Sequence, residues 1–87
     1  MANKTQTRIL KYLKTLPHCW AIKVIAANER GCPDIICCYR GRFVGIEVKK
    51  GRDRLSCIQT TQLANIMEAE GTTIVARCLD DVKDYLP

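Results

Sequence analysis

Two adjoining strand-like segments restrict the fold more than any other feature of the sequence. The segments PDIICCYR (33–40) and RFVGIEVKK (42–50) are rich in β-branched and aromatic residues, which favour strands. The only break between them is Arg40–Gly41. Parallel strands need a connection of a dozen residues or more, so this chain must form an antiparallel hairpin with a tight turn.

The length of the turn fixes which residues of the hairpin face each other. With a two-residue turn, Tyr39 faces Arg42, and counting away from the turn brings Asp34 opposite Glu47. Facing residues have Cβ atoms about 4.5–5.5 Å apart, so two like charges there are destabilising unless something bridges them. A divalent cation would do so, because Mg²⁺ takes hard oxygen ligands from one or two carboxylates.

Helical and strand-like segments alternate in the rest of the chain. Apolar residues recur at helical spacing in 5–16, where Pro17 stops the run. They recur again in 55–70, with Ser56 placed to cap the helix and Gly71 to stop it. Further strands are predicted over 19–26 and 72–78, and a terminal helix over 79–86. The order αβββαβα predicts one α/β domain over residues 1–87 with a mixed central sheet.

Composition narrows the class of protein. The 87 residues are 47% hydrophobic and 26% charged, as in an ordinary globular domain. No apolar run is long enough for a membrane span and the N-terminus lacks the apolar core of a signal peptide, so we expect a cytoplasmic location. The six cysteines are then expected to stay reduced. No C-x-x-C pair is present, so small buried hydrophobic roles are favoured over a zinc site.

Positive charge is concentrated in the first two-thirds of the chain. The formal net charge is +5; residues 1–54 hold twelve Lys/Arg against four Asp/Glu, and residues 55–87 hold two against five. Such asymmetry indicates a polyanionic partner, with phosphates the obvious candidate.

The residues after Glu47 complete a candidate site. Lys49 follows Glu47 by two positions, so strand alternation puts both on one face while Val48 points into the core. Two anions and a cation on one face suit a divalent metal and phosphodiester hydrolysis. Alternatively, Asp34 closes a turn and Glu47 pairs with Lys49 at the surface, for under about 1 kcal/mol. Spacing alone leaves both interpretations open, because Pro-Asp and Glu-x-Lys are common short strings.

These residues resemble a known nuclease superfamily. Pro33–Asp34 followed by Glu47–Val48–Lys49, within the order αβββαβ, is similar to the PD-(D/E)XK nucleases. The string GCPDIICCYRGRFVGIEVKKGRDRLSCIQ (31–59), with the helix, Gly71, strand and helix that follow, resembles more narrowly the virus-type replication-repair nuclease (VRR-NUC) domain. Small stand-alone members of that family occur in phages. The resemblance covers nearly the whole chain and implies a restriction-endonuclease-like core.

The resemblance also implies site chemistry. Asp34 and Glu47, with the backbone carbonyl of Val48, would bind Mg²⁺ or Mn²⁺. Lys49 would be the catalytic lysine.

A glutamine on the second helix completes the implied site. Gln59 would line it, with Gln62 one turn later as a rival. The glutamate that many relatives carry on the first helix has no counterpart, because no acidic residue precedes Glu29 and only Gln6 lies in that helix as a polar substitute.

Four basic residues are candidates for nucleic-acid binding. Lys23, Lys50, Arg52 and Arg54 are expected to border the active face and gather the phosphate backbone without reading base sequence, although solubilising surface positions would look the same. With the resemblance, they imply a structure-selective DNA endonuclease acting as a homodimer on branched DNA, such as four-way junctions or flaps, with no organic cofactor and no membrane partner. A non-catalytic nucleic-acid binder that retains the fold and an accessory interaction protein are the alternatives.

Overall fold

The computed structural model describes residues 3–87, which form three helices and four strands. In chain order these are α1 (Lys4–Leu13), β1 (Cys19–Lys23), β2 (Ile35–Tyr39), β3 (Arg42–Val48), α2 (Cys57–Glu68), β4 (Thr72–Ala76) and α3 (Leu79–Lys83). The strands form one sheet in the order β1-β2-β3-β4. The β1–β2 and β2–β3 pairs are antiparallel and the β3–β4 pair is parallel. The predicted element order and the mixed sheet are confirmed.

The two faces of the sheet are covered unequally. One face, here the α1/α3 face, carries the fully buried Ile35 and Ile46, which pack with Leu13 of α1 and Val82 of α3 in the main core. The other, here the α2 face, is covered only in part, where Ile66 of α2 lies beside β3. Its uncovered side chains include the large, exposed Trp20, Ile22 and Phe43. Because strand residues alternate, Glu47 lies on the α2 face, between core residues Ile46 and Val48.

Each element ends before its predicted limit, and local chemistry explains where. Pro17 has no N–H to donate to the Leu13 carbonyl, so α1 ends at Leu13 and a turn follows. In the β2–β3 register Pro33 would pair with Val48, but it has no N–H to donate, so that ladder closes at the pair Ile35–Ile46.

A side-chain cap separates the last strand from the last helix. One carboxylate oxygen of Asp81 accepts hydrogen bonds from the backbone N–H groups of Arg77 (2.8 Å) and Cys78 (3.3 Å). These bonds hold the pKa of Asp81 below its usual value. Because these two N–H groups donate to Asp81, they are not available for further strand pairing, and β4 ends at Ala76.

The cysteines differ in burial, which corrects the expectation that they act as small buried hydrophobes. Only Cys37 is buried, and burial raises the pKa of its thiol to about 12. Cys19 and Cys32 are partly buried. The exposed thiols are those of Cys38, Cys57 and Cys78, and all six cysteines are free.

Helix α2 ends in a left-handed residue that is not glycine. The Gly71 N–H donates to the Ile66 carbonyl (2.8 Å) and the Glu70 N–H to the Met67 carbonyl (3.0 Å), which is the Schellman pattern. The sequence predicts Gly71 as the stop residue, but Glu70 takes the left-handed position, with φ of 70°.

Glu70→Gly is expected to raise the free energy of unfolding by about 1 kcal/mol, because left-handed backbone costs an L residue about 1–2 kcal/mol and glycine little. For a domain of this size that corresponds to an increase in Tm of about 4–8 °C. Glu68→Gly is the matched control: it removes the same charge inside the helix, where glycine is unfavourable, and should lower Tm. A lower Tm for Glu70→Gly would contradict strain at this position.

Candidate functional site

The register of the hairpin brings the two predicted carboxylates together. Tyr39 pairs with Arg42 and the ladder runs without a slip to the pair Ile35–Ile46, as predicted. Asp34 and Glu47 are the next residues on either strand, one position beyond that pair. Since Ile35 and Ile46 point into the core, both carboxylates lie on the α2 face.

Asp34 is fixed where three strands meet. Its carbonyl oxygen accepts a hydrogen bond from the Val24 N–H (2.8 Å), just beyond β1. Its side-chain Oδ2 accepts one from the Val48 N–H in β3, also at 2.8 Å. Both the backbone and the side chain of Asp34 are therefore anchored, and neither bond involves the second carboxylate oxygen, Oδ1.

Glu47 is a buried acid with incomplete hydrogen bonding. It is only 2% exposed; its Oε2 accepts a hydrogen bond from Gln59 Nε2 at 3.1 Å, while Oε1 is buried without a partner. Burial raises the pKa of this carboxyl from 4.5 to about 8; the charge of Asp34 raises it further, and that of Lys49 lowers it in part. The pair thus requires a proton or a cation between its carboxyl groups.

Lys49 shares the α2 face with the carboxylates, as strand alternation predicts. Its side chain is half-buried and close enough for its charge to act on Glu47. Its backbone N–H donates to the Ala76 carbonyl (2.9 Å), which extends the β3–β4 pairing by one bond. Val48 lies in the core, as predicted.

The first turn of α2 holds the carboxyl of Glu47. Ser56 caps the helix by accepting from the Gln59 N–H (3.1 Å), and Gln59 Oε1 accepts in return from the Ser56 N–H (2.9 Å). The amide nitrogen of the same Gln59 side chain donates to Glu47. The amide oxygen of Gln59 therefore caps the helix while its amide nitrogen binds the Glu47 carboxyl, so one side chain has both roles.

The two candidate glutamines have different partners. Gln62 Nε2 donates to Glu29 Oε1 (3.2 Å) and to the Arg30 carbonyl (3.0 Å), away from the carboxylate pair. It ties the loop that precedes Asp34 to the helix. Sequence reasoning missed this contact, because nothing in the spacing links residues more than thirty positions apart.

Gly31 allows that loop to touch the helix. With φ of 80°, it lies so close to α2 that a Cβ atom there would be 2.4 Å from Ile58 Cγ2 and 2.8 Å from the Ile58 carbonyl oxygen. Any side chain would push the loop from the helix, and Asp34 follows only three residues later. The glycine before Pro-Asp was the available sequence signal.

The four predicted nucleic-acid-binding residues do not share one surface. Lys50, Arg52 and Arg54 are exposed in the loop after β3, here the basic loop (49–54), at the carboxylate end of the strand. Lys23 pairs with Ile35, so alternation places it toward the opposite, α1/α3 face. A further arginine, not predicted, shapes this loop: Arg77 Nη1 donates to the Gly51 carbonyl at 2.9 Å.

The donor set fits a hard divalent cation bound by few protein ligands. Within residues 3–87, no three His, Cys, Asp or Glu side chains come together as a metal-ligand group. The candidate donors are two carboxylates and the Val48 carbonyl, all oxygen, which suits Mg²⁺ or Mn²⁺ with water and phosphate as remaining ligands. The unpartnered Glu47 Oε1 is the observation that supports the fit.

Comparison with family models, curated proteins and solved structures finds no match to this chain. The resemblance to VRR-NUC domains therefore stays a prediction from the sequence motifs. No helix in the described residues is long and apolar enough to cross a membrane.

Proposed function

We propose that this chain is a metal-dependent endonuclease of the PD-(D/E)XK type that hydrolyses phosphodiester bonds in branched DNA. The supporting observation is the buried Glu47 carboxyl, which faces Asp34 and has an oxygen without a partner. Burying an acid beside another acid is unfavourable unless a positive charge balances them. A nuclease site balances them with a metal ion, at the place where a phosphate must bind.

Each residue of the site has a distinct proposed task. Asp34, Glu47 and the Val48 carbonyl would hold Mg²⁺ or Mn²⁺. When bound, the cation supplies a polarising charge at the phosphate and lowers the pKa of a water molecule. Lys49 stabilises negative charge that develops on the phosphate oxygens or orients the attacking water. Gln59 is a positioning residue, because its bond to Oε2 fixes Glu47 with Oε1 left free.

The basic loop is proposed to bind the DNA backbone. Arg52→Ala combined with Arg54→Ala should weaken DNA binding and reduce the slope of log K against log salt by about one for each lost phosphate contact. Cleavage at saturating DNA should change little, because neither arginine touches the carboxylate pair. Filter binding over a salt series measures the slope. Lys11→Gln with Lys14→Gln, which removes two charges from the end of α1 and its C-cap, is the matched control. A salt slope equal to wild type in the loop variant would rule out these contacts.

Branched DNA and a homodimer are part of the proposal. One site nicks one strand, whereas resolving a four-way junction requires two nicks related by the two-fold symmetry of the substrate. Exposed apolar side chains on the α2 face, such as Trp20, Ile22 and Phe43, offer surface that a second copy would bury. A small core benefits from such burial.

The dimer is tested by mixing subunits. Sedimentation at micromolar concentration should give twice the 9.8 kDa chain mass. Wild type mixed with excess Glu47→Gln should lose paired cuts faster than total nicks, because mixed dimers keep one working site. An equal decline of both products would show that the two sites do not act together.

The nuclease proposal itself is tested with flap, splayed and four-way DNA in Mg²⁺, Mn²⁺ or EDTA. Cleavage with either metal and none in EDTA is the expected result. DNA binding in EDTA without cleavage in Mn²⁺ would instead select a non-catalytic binder that has kept the fold. Failure to retard DNA at low salt would select an accessory protein whose charges are a solvated surface.

A further inference from the structure

A second group of functional side chains lies at the turn of the hairpin. A cavity of about 370 Å³ opens there beside the end of α3, with Tyr39, Arg40, Arg42, Thr72 and Tyr85 in its wall. Ligand sites commonly have volumes of about 300–1,000 Å³. Tyr39 is five residues from Asp34, about 16 Å along an extended strand. The cavity is thus distinct from the carboxylate pair.

The wall of this cavity combines cations with aromatic rings. Arg40 lies over the Tyr39 ring, with its Cζ atom 5.5 Å from the ring centroid. The Tyr39 hydroxyl donates to the Pro87 carbonyl oxygen (3.1 Å), which holds that ring in place. Tyr85 is 65% exposed. Stacking on a ring leaves the N–H fork of an arginine available to a phosphate, and an exposed ring can stack on a base.

The backbone at Arg40 is held in an unfavourable conformation. Arg40 has φ of 52°, although the turn favours Asn, Asp or Gly at this position. Its N–H donates to the carbonyl of His18 (2.8 Å), which is itself left-handed with φ of 57°. Strain of this kind persists where surrounding structure maintains it and is concentrated at functional sites. Here it sets the point from which the Arg40 guanidinium reaches the cavity.

We propose that this cavity binds a nucleotide, with Arg40 and Arg42 on its phosphate and the tyrosine rings beside its base. Thr72 supplies a hydroxyl at the wall. The ligand is either a free nucleoside monophosphate or the terminal nucleotide of a DNA strand, since both present the same base and phosphate. The site is independent of the carboxylates and goes beyond the proposed nuclease activity.

Titration of the full chain with dAMP in EDTA, followed by amide resonances in NMR spectra, tests this site. Saturable shifts should appear at Tyr39, Arg42 and Thr72. Arg40→Asn combined with Arg42→Gln should raise the dissociation constant for dAMP by about tenfold or more, because charge-assisted hydrogen bonds to the phosphate are lost. Asn tolerates the left-handed turn position, and the spectrum reports whether the fold is retained. Arg42→Gln alone gives a second variant that leaves the turn unchanged.

Control variants separate the site from general charge attraction. Lys11→Gln with Lys14→Gln removes two charges elsewhere and should leave dAMP affinity unchanged, as should Glu47→Gln. Failure of the nuclease proposal would therefore leave this result intact. Tyr85→Ala should weaken dAMP binding but not that of inorganic phosphate. Absence of saturable shifts up to about 10 mM dAMP, which corresponds to negligible affinity, would overturn the proposal. An equal loss of dAMP affinity in the Arg40/Arg42 variant and in the Lys11/Lys14 variant would also overturn it.

Single-stranded oligonucleotides with and without a 5′-phosphate distinguish the two sources. If only the phosphorylated strand produces the dAMP shifts, the site takes a strand end. If neither strand does and dAMP binds, the site takes a free nucleotide.

Discussion

Glu47→Gln and Asp34→Asn should each reduce DNA cleavage by about a thousandfold or more while the fold is retained. Each substitution conserves shape but removes a charged ligand from the proposed cation site. Metal ions contribute several kcal/mol to transition-state stabilisation, and each 1.4 kcal/mol corresponds to about a factor of ten in rate. Single-turnover cleavage of a labelled flap or four-way substrate in Mn²⁺ measures the loss.

Glu29→Gln provides the matched control for these variants. It makes the same chemical change on the exposed loop before Asp34, and glutamine still offers an oxygen to Gln62. Its cleavage rate should stay near wild type. Wild-type rates in Glu47→Gln or Asp34→Asn would remove the carboxylate pair from the mechanism.

The metal-free protein should lose stability as pH rises from 5 to 8.5. Folding raises the pKa of Glu47 from 4.5 to about 8, so the folded state favours the protonated acid. The stability contributed by that proton is complete below pH 4.5 and is lost as pH rises through 8. Each pKa unit corresponds to about 1.4 kcal/mol, and about 3 units fall inside this pH range, so the expected loss is about 4 kcal/mol. Urea unfolding in EDTA across this range gives the free energy of unfolding at each pH.

The pH window isolates Glu47 from the other shifted groups. The Asp81 pKa lies below its usual value. Burial raises the thiol pKa values of Cys19, Cys32 and Cys37 above their usual 9.0, so none of these four groups should titrate in the folded protein between pH 5 and 8.5. Glu47→Gln should flatten the profile and leave the protein more stable than wild type at pH 8.5. Parallel profiles for the two proteins would mean that Glu47 is already ionised in the folded chain.

Pairing within the hairpin could be predicted because its determinants are local. A two-residue turn fixes the register, and an alternation of two residues then fixes the face of every side chain from Tyr39 to Asp34. The same alternation placed Lys49 beside Glu47 and Val48 in the core. The helix start at Ser56 was also predictable, since a cap depends on neighbouring residues alone.

Other parts of the site depend on contacts between distant segments. Gln62 reaches Glu29 across 33 positions, and Arg77 reaches Gly51 across 26. Lys23 was misplaced relative to the carboxylates because only the observed β1–β2 register shows which face it takes. The burial of Glu47 likewise requires α2 to pack against its strand, and no count along the sequence supplies that packing.

The double use of Gln59 has a consequence for redesign of this protein. Ser-x-x-Glu and Ser-x-x-Gln cap a helix almost equally well, so stability engineering that considers α2 alone would treat glutamate at this position as a harmless exchange. Here it would replace the amide donor of Glu47 with a third acidic group. An amide at position 59 is thus required because α2 borders a buried acid, and a design rule based on preferred helix-capping residues alone would not preserve it.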